Sequence, residues 1–136
     1  MRSILLFALC GAFLLTSCKK DEGTSDCLKL EGTWNATSWT EDNEQFLGDT
    51  IFIISSVVEF KKLDGTQGDV DWTINYTLGG EEMFIGSYVV NASCDQVVIT
   101  PKAGAPTTYQ FSISGDKLTL ETDENAVHVK QIYQRE

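Results

Sequence analysis

The chain has 136 residues, enough for one domain with a single core of ordinary size. Hydrophobic residues make up 42% and charged residues 22%, a globular balance. Twenty Asp and Glu against ten Lys and Arg leave a formal net charge of −10, which repels phosphate backbones and so excludes nucleic acid as an expected partner.

In chain order, Arg2 precedes an unbroken apolar and small run from Ile4 to Leu15. The run is too short to span a bilayer comfortably and has the size of a secretory h-region. Leu15-Thr16-Ser17-Cys18 follows at once. These four residues resemble the lipobox of bacterial lipoproteins: Leu, a small or β-branched residue, a small residue, then Cys. The resemblance implies cleavage after Ser17, a diacylglycerol on the Cys18 thiol and acylation of the new amino group. Acyl chains at about 0.8 kcal/mol per buried methylene make a durable membrane anchor. The chain then divides into a signal peptide, 1–17, a lipidated tether, 18–26, and a folded domain, 27–136. Lys19-Lys20-Asp21-Glu22, basic and then acidic, resembles the surface-export signals of some Gram-negative lipoproteins. The expected location is the cell envelope of such a bacterium, the outer membrane in preference, on its periplasmic or outer face. Cys10 leaves with the signal peptide and Cys18 carries lipid, so Cys27 and Cys94 remain. Two thiols in an oxidising compartment invite a disulfide; the alternative is a pair of small buried thiols.

From Glu31 onward the sequence reads as strands and turns. Val70 to Leu78 alternates apolar and polar residues without a fault, which gives one buried and one wetted face. Thr107 to Ser114 repeats the pattern, and Gly115-Asp116 turns it into Lys117 to Glu121, a hairpin signal. Eight strands are expected, near 32–40, 52–61, 70–78, 82–91, 95–100, 107–114, 117–122 and 126–134. Short connections imply antiparallel pairing in sequence order. The expected fold is therefore all-β, an eight-stranded up-and-down barrel, with a sandwich as the structural alternative.

Gly32-Thr33-Trp34 opens the first strand. This Gly-x-Trp, the hairpin Ile113 to Leu120 and a basic residue near the end, Arg135, resemble the lipocalins and the wider calycin group. With the lipobox they resemble most the small lipocalin-like lipoproteins of bacteria. The second lipocalin signature, Thr-Asp-Tyr, is absent. The resemblance implies that Arg135 packs across Trp34 at the closed end of the barrel. In a meander of this kind Cys27 and Cys94 share that end, as a disulfide needs. The connection 41–50 would be a lid over the mouth, an acidic rim carrying Phe46.

No catalytic constellation can be argued. His128 stands alone in Val127-His128-Val129 and is expected to point outward. Asp64, Asp69 and Asp71 are best explained by turn chemistry, so no metal and no cofactor is expected. Inward positions by alternation include Trp34, Val58, Phe60, Trp72, Ile74, Tyr76, Tyr109, Phe111, Ile113, Leu118 and Leu120. The bland reading is that they fill the barrel. The functional reading is a pocket for a small hydrophobic or amphipathic molecule, with Phe46, Trp72, Tyr76, Tyr109 and Phe111 as candidate contacts. A binding module rather than an enzyme is expected; the alternative is an inhibitor or accessory subunit of an envelope protein complex.

Overall fold

In the computed structural model, which describes residues 27–48 and 52–136, nine antiparallel strands form one closed sheet. The segments expected to be a signal peptide and a tether, Cys18 included, lie outside the described residues. The strands are β1 (Gly32–Glu41), β2 (Glu44–Gln45), β3 (Ile53–Phe60), β4 (Gln67–Tyr76), β5 (Gly80–Val90), β6 (Gln96–Pro101), β7 (Thr107–Ser114), β8 (Lys117–Glu124) and β9 (Val127–Arg135). Apart from β2 they run as a meander, and β9 returns to pair β1 from Trp34↔Arg135 to Glu41↔Val129. That last pairing closes the barrel and leaves its two terminal strands no open edge. The expected all-β, eight-stranded up-and-down barrel is therefore the fold, with one short strand added.

The added strand changes the expected lid. β1 pairs β3 only from Gly32 to Asn35, and beyond that point the two strands diverge. Asp42 and Asn43, with φ of 47° and 71°, make a tight hairpin that folds β2 back onto the end of β1. Phe46 then donates its N–H to the Trp39 carbonyl at 2.7 Å, and its own carbonyl accepts from Ile53 N–H at 3.3 Å. The described part of the 41–50 connection is thus wall rather than lid. It supplies hydrogen bonds to backbone that the diverging strands leave open.

Boundaries shift where pairing overrides the apolar pattern. β4 starts at Gln67 rather than at Val70, because Gln67, Gly68 and Asp69 pair with Val89, Tyr88 and Ser87. β8 continues through Glu124 because a second two-residue turn, Asn125-Ala126 with φ of 51° and 67°, carries the hairpin further.

The closed end is built around Trp34, which is fully buried. Its Nε1 donates to the Leu30 carbonyl at 2.8 Å, and the Arg135 guanidinium lies 4.1 Å from the ring centroid. Arg135 Nη1 donates to the Glu31 carbonyl at 2.7 Å and Nη2 donates to the Lys29 carbonyl. Gly32 is required beside them: its φ is 122°, and a Cβ there would sit 2.7 Å from Arg135 Nη1. Cys27 and Cys94 are joined in a disulfide at the same end, with Cα atoms 5.0 Å apart. The bond spans a sequence separation of 67. In the chain-entropy model a loop of this length contributes roughly 4 kcal/mol. Reduction is expected to lower the urea midpoint by a corresponding amount, and an unchanged midpoint would show that the bond contributes nothing.

Candidate ligand-binding site

Large side chains fill the closed end of the barrel, and small residues interrupt its wall toward the mouth. Toward the closed end the inward positions hold Trp34, Phe60, Tyr88, Leu118 and Tyr133, all essentially without exposure. Toward the mouth, inward register brings Gly86, Thr107 and Thr122. Gly86 cannot be replaced by a larger residue, because a Cβ would collide with the Thr100 carbonyl of β6. The close approach of two backbones therefore leaves that stretch of wall without a side chain.

The result is a cavity of about 260 Å³ opening at the mouth. Trp39, Trp72, Phe84 and Tyr109 supply its aromatic walls. Val70, Ile74, Ile99 and Val129 supply aliphatic ones. Trp72 is the centre of the aromatic group, with ring centroids 6.2 Å from Trp39, 6.0 Å from Tyr109 and 6.4 Å from Tyr133. Glu41 and Glu124 stand at the rim.

A one-way chain of hydrogen bonds runs beneath these walls. Trp72 Nε1 donates to Ser56 Oγ at 2.8 Å, Ser56 Oγ lies 3.3 Å from the Tyr133 hydroxyl, and that hydroxyl donates to Gln131 Oε1 at 3.1 Å. The Trp72 indole can only donate and Gln131 Oε1 can only accept, so the two hydroxyls between them each accept from one side and donate to the other, in the order Trp72, Ser56, Tyr133, Gln131. Gln131 is 2% exposed and lines the cavity, and its Nε2 has no protein acceptor among the described residues.

The candidate contacts fall into three places. Trp72 and Tyr109 line the cavity. Tyr76 and Phe46 line instead a more open cleft at the rim, with Phe52 and Leu78, that shares Trp39 and Glu41 with the cavity; the Phe46 and Phe52 rings are 4.8 Å apart, and the Tyr76 hydroxyl donates to Glu82 at 2.8 Å. Phe111 lines neither, since it pairs with Leu120 within the packed core. Trp39 was hidden by strict alternation, which puts it and Trp34 on opposite faces. A bulge between Ala36 and Ser38 returns Trp39 to the inside. Gln131 and Ser56 did leave a signal: polar residues in register with Val129 and Tyr133, and with Val58 and Phe60.

Elsewhere the polar groups are spent on the surface. His128 Nδ1 meets Asp123 at 2.9 Å on exposed side chains outside the cavity, and Lys61 pairs Asp71 at 2.6 Å. The bond to Asp71 raises the Lys61 pKa above its ordinary value. Among the described residues no cluster of three or more His, Cys, Asp or Glu is placed to hold a metal.

A family model described as a lipocalin-like domain matches residues 30–133. No curated protein matches the sequence. Among solved structures, a de novo designed fluorescence-activating β-barrel aligns with a TM-score of 0.59 at 14% identity, over 82% of this chain and 98% of that one. The siderocalin Ex-FABP, described as functioning through dual ligand specificities, aligns with a TM-score of 0.56 at 13% identity, over 79% and 74%. Lobster apocrustacyanin A1 aligns with a TM-score of 0.56 at 18% identity, over 85% and 65%. At these identities the likeness is one of fold.

Two measurements test the interior. Ser56→Ala leaves the buried Trp72 Nε1 without its acceptor and is expected to cost about 1–3 kcal/mol of stability by urea titration. Burial first, and the Glu82 hydrogen bond second, push Tyr76 up to about 12; burial, then the charges of Glu31 and Asp69, push Tyr88 up to about 12. Burial raises Tyr109 and Tyr133 as well. The folded state thus holds protons that the unfolded chain loses near pH ~10. Stability from this source is complete below that pH and falls as pH rises toward about 12. Tyrosinate absorbance in the folded protein should accordingly lag behind that of the denatured chain, and coincident titrations would contradict the burial.

Proposed function

Because the chain belongs to the lipocalin-like domain family, we propose that its barrel binds a compact apolar or amphipathic molecule, on a domain held at a bacterial cell envelope by lipid on Cys18. The observation that carries the binding reading is the cavity of about 260 Å³ beneath the mouth. Its size lies just below the ~300–1,000 Å³ usual for pockets that take drug-sized ligands, so the ligand is smaller than most of them. Its walls are those of such pockets, predominantly aromatic and aliphatic with a few placed polar groups. Among the described residues no Ser/His/Asp set lines it.

Support for the anchor comes from the sequence Leu15-Thr16-Ser17-Cys18 behind a short apolar run. A second reading, docking of an envelope protein, draws on the outward row of β5. There Met83, Ile85 and Val89 are exposed, with Ile54 and Leu78 exposed nearby on β3 and the β4–β5 turn.

Binding is tested with N-phenyl-1-naphthylamine, a neutral apolar fluorophore. The purified protein is expected to enhance its emission, and Thr107→Trp, which fills the cavity near the mouth, should abolish the enhancement. Emission that is unchanged on adding the protein, or identical with the plugged variant, would remove the cavity as the site. For the anchor, Cys18→Ser is expected to abolish metabolic labelling by a radioactive fatty acid and to move the protein out of the membrane fraction. Labelling that survives the substitution would remove Cys18 as the acylated residue.

A further inference from the structure

The wall of the cavity carries a charge pattern that its apolar content does not call for. Glu41 on β1 pairs with Val129 across the β1–β9 ladder, and Glu124 follows two residues after Thr122, which pairs with Val129 from the other side. Register therefore turns both carboxylates toward the barrel interior, and both line the cavity. Glu82 holds the equivalent inward register on β5, opposite Ile74, and accepts from the Tyr76 hydroxyl. Neither Glu41 nor Glu124 has a cationic partner among the described residues. Lys61 and Lys130 are occupied with Asp71 and Glu121 on the outer face, and His128 with Asp123. Lys102, on the β6–β7 turn, does not line the cavity, and no Lys, Arg or His among the described residues does.

The floor carries the opposite polarity. Gln131 is almost wholly buried, its Oε1 accepts from the Tyr133 hydroxyl, and its Nε2 has no protein acceptor among the described residues. Gln131 pairs with Trp39 on β1, two residues before Glu41, and with Leu120 on β8, four residues before Glu124. At ~3.3 Å per strand residue, the donor and the two carboxylates are separated along the barrel by roughly 7 and 13 Å. Between them lie the faces of Trp39, Trp72 and Tyr109.

We infer that the ligand is a compact arylalkyl amine, with an oxygen acceptor on the ring meeting Gln131 and an ammonium group at the mouth between Glu41 and Glu124. The inference rests on the reading that the barrel binds a small molecule, and adds the chemistry of that molecule. An ammonium is matched by carboxylates and by aromatic faces alike. An anionic ligand of the same shape meets like charge at the rim and a protein of formal net charge −10. A bare metal ion is poorly served, since the described residues place no suitable cluster.

The test uses four probes of one shape with the purified protein at neutral pH and low salt, read by quenching of tryptophan fluorescence and by calorimetry. Tyramine carries both polar ends, 4-ethylphenol lacks the charge, 3-(4-hydroxyphenyl)propionate reverses it, and phenethylamine lacks the oxygen. Tyramine is expected to bind at least tenfold tighter than 4-ethylphenol, about 1.4 kcal/mol. The propionate should bind more weakly than either. In the double variant Glu41→Gln, Glu124→Gln, tyramine should lose its advantage and bind no tighter than 4-ethylphenol does to the same variant. Equal affinities for tyramine and 4-ethylphenol would overturn the amine while leaving a binding barrel. So would enhancement of the naphthylamine dye with none of the four probes bound. Phenethylamine as tight as tyramine would overturn the Gln131 contact. Failure of every probe and of the dye would overturn the cavity reading itself.

Discussion

Closure of β9 onto β1 is the pairing on which every other feature of this barrel depends. A meander of eight short strands that did not close would expose two edges and could not hold an interior dry. The two strands come from opposite ends of the domain, so their meeting carries the largest loop-closure cost in the chain. The closed end is where that cost is offset. Arg135, the last residue of β9, covers Trp34 near the start of β1 and bonds to two carbonyls of the segment that leads into it. The Cys27–Cys94 disulfide ties the same segment to the β5–β6 turn. Arg135 and the disulfide therefore both tie the closed end across distant parts of the chain.

A closed end tied in this way permits a cavity above it. The closed end is packed by large side chains in contact, as the edge-on pair of Phe60 and Tyr88 shows, with ring centroids 5.1 Å apart. Stability concentrated there allows the upper half to keep space that packing would otherwise fill, at the cost in lost contacts that any void carries. Two features keep the space from collapsing. The β5 and β6 backbones approach too closely at Gly86 for a side chain to intrude. The hydrogen-bonded order Trp72, Ser56, Tyr133, Gln131 sets the position of the central indole. Polar groups buried under an apolar cavity are expensive unless satisfied, and satisfying them in a fixed order makes the floor rigid.

The barrel itself was legible in the sequence because its strongest strands, Val70 to Leu78 and Thr107 to Glu121, alternate cleanly and are joined by turns of recognisable chemistry. Trp34 and Arg135 were legible only through a resemblance, since nothing in composition or period joins residues a hundred positions apart. The cavity was largely not legible. Alternation says which side chains point inward, but a void depends on where strands diverge and how near their backbones come. Trp39 was lost to a bulge, Phe46 to an insertion of β2 between β1 and β3, and Phe111 to its depth along the axis. Gln131 was within reach of the sequence alone: a polar residue on the inward face between Val129 and Tyr133 asks for a reason.

The placement of charge connects the two ends. Carboxylates on the outer face of the barrel are partly neutralised, as Lys61 with Asp71 and Lys130 with Glu121 show, at distances of 2.6 and 2.8 Å. Those of the rim are not: Glu41, half-buried, and Glu124, exposed, have no cationic partner among the described residues. The described chain begins at Cys27, at the closed end, away from this rim. Under the proposed anchoring, eight residues (19–26) separate Cys18 from Cys27, a reach of at most about 32 Å. The attachment would then enter through the rigid end, and the mouth would face away from the membrane. Such an orientation separates the acidic rim from anionic head groups, which would otherwise repel it, and leaves the opening free to exchange its ligand with the aqueous side.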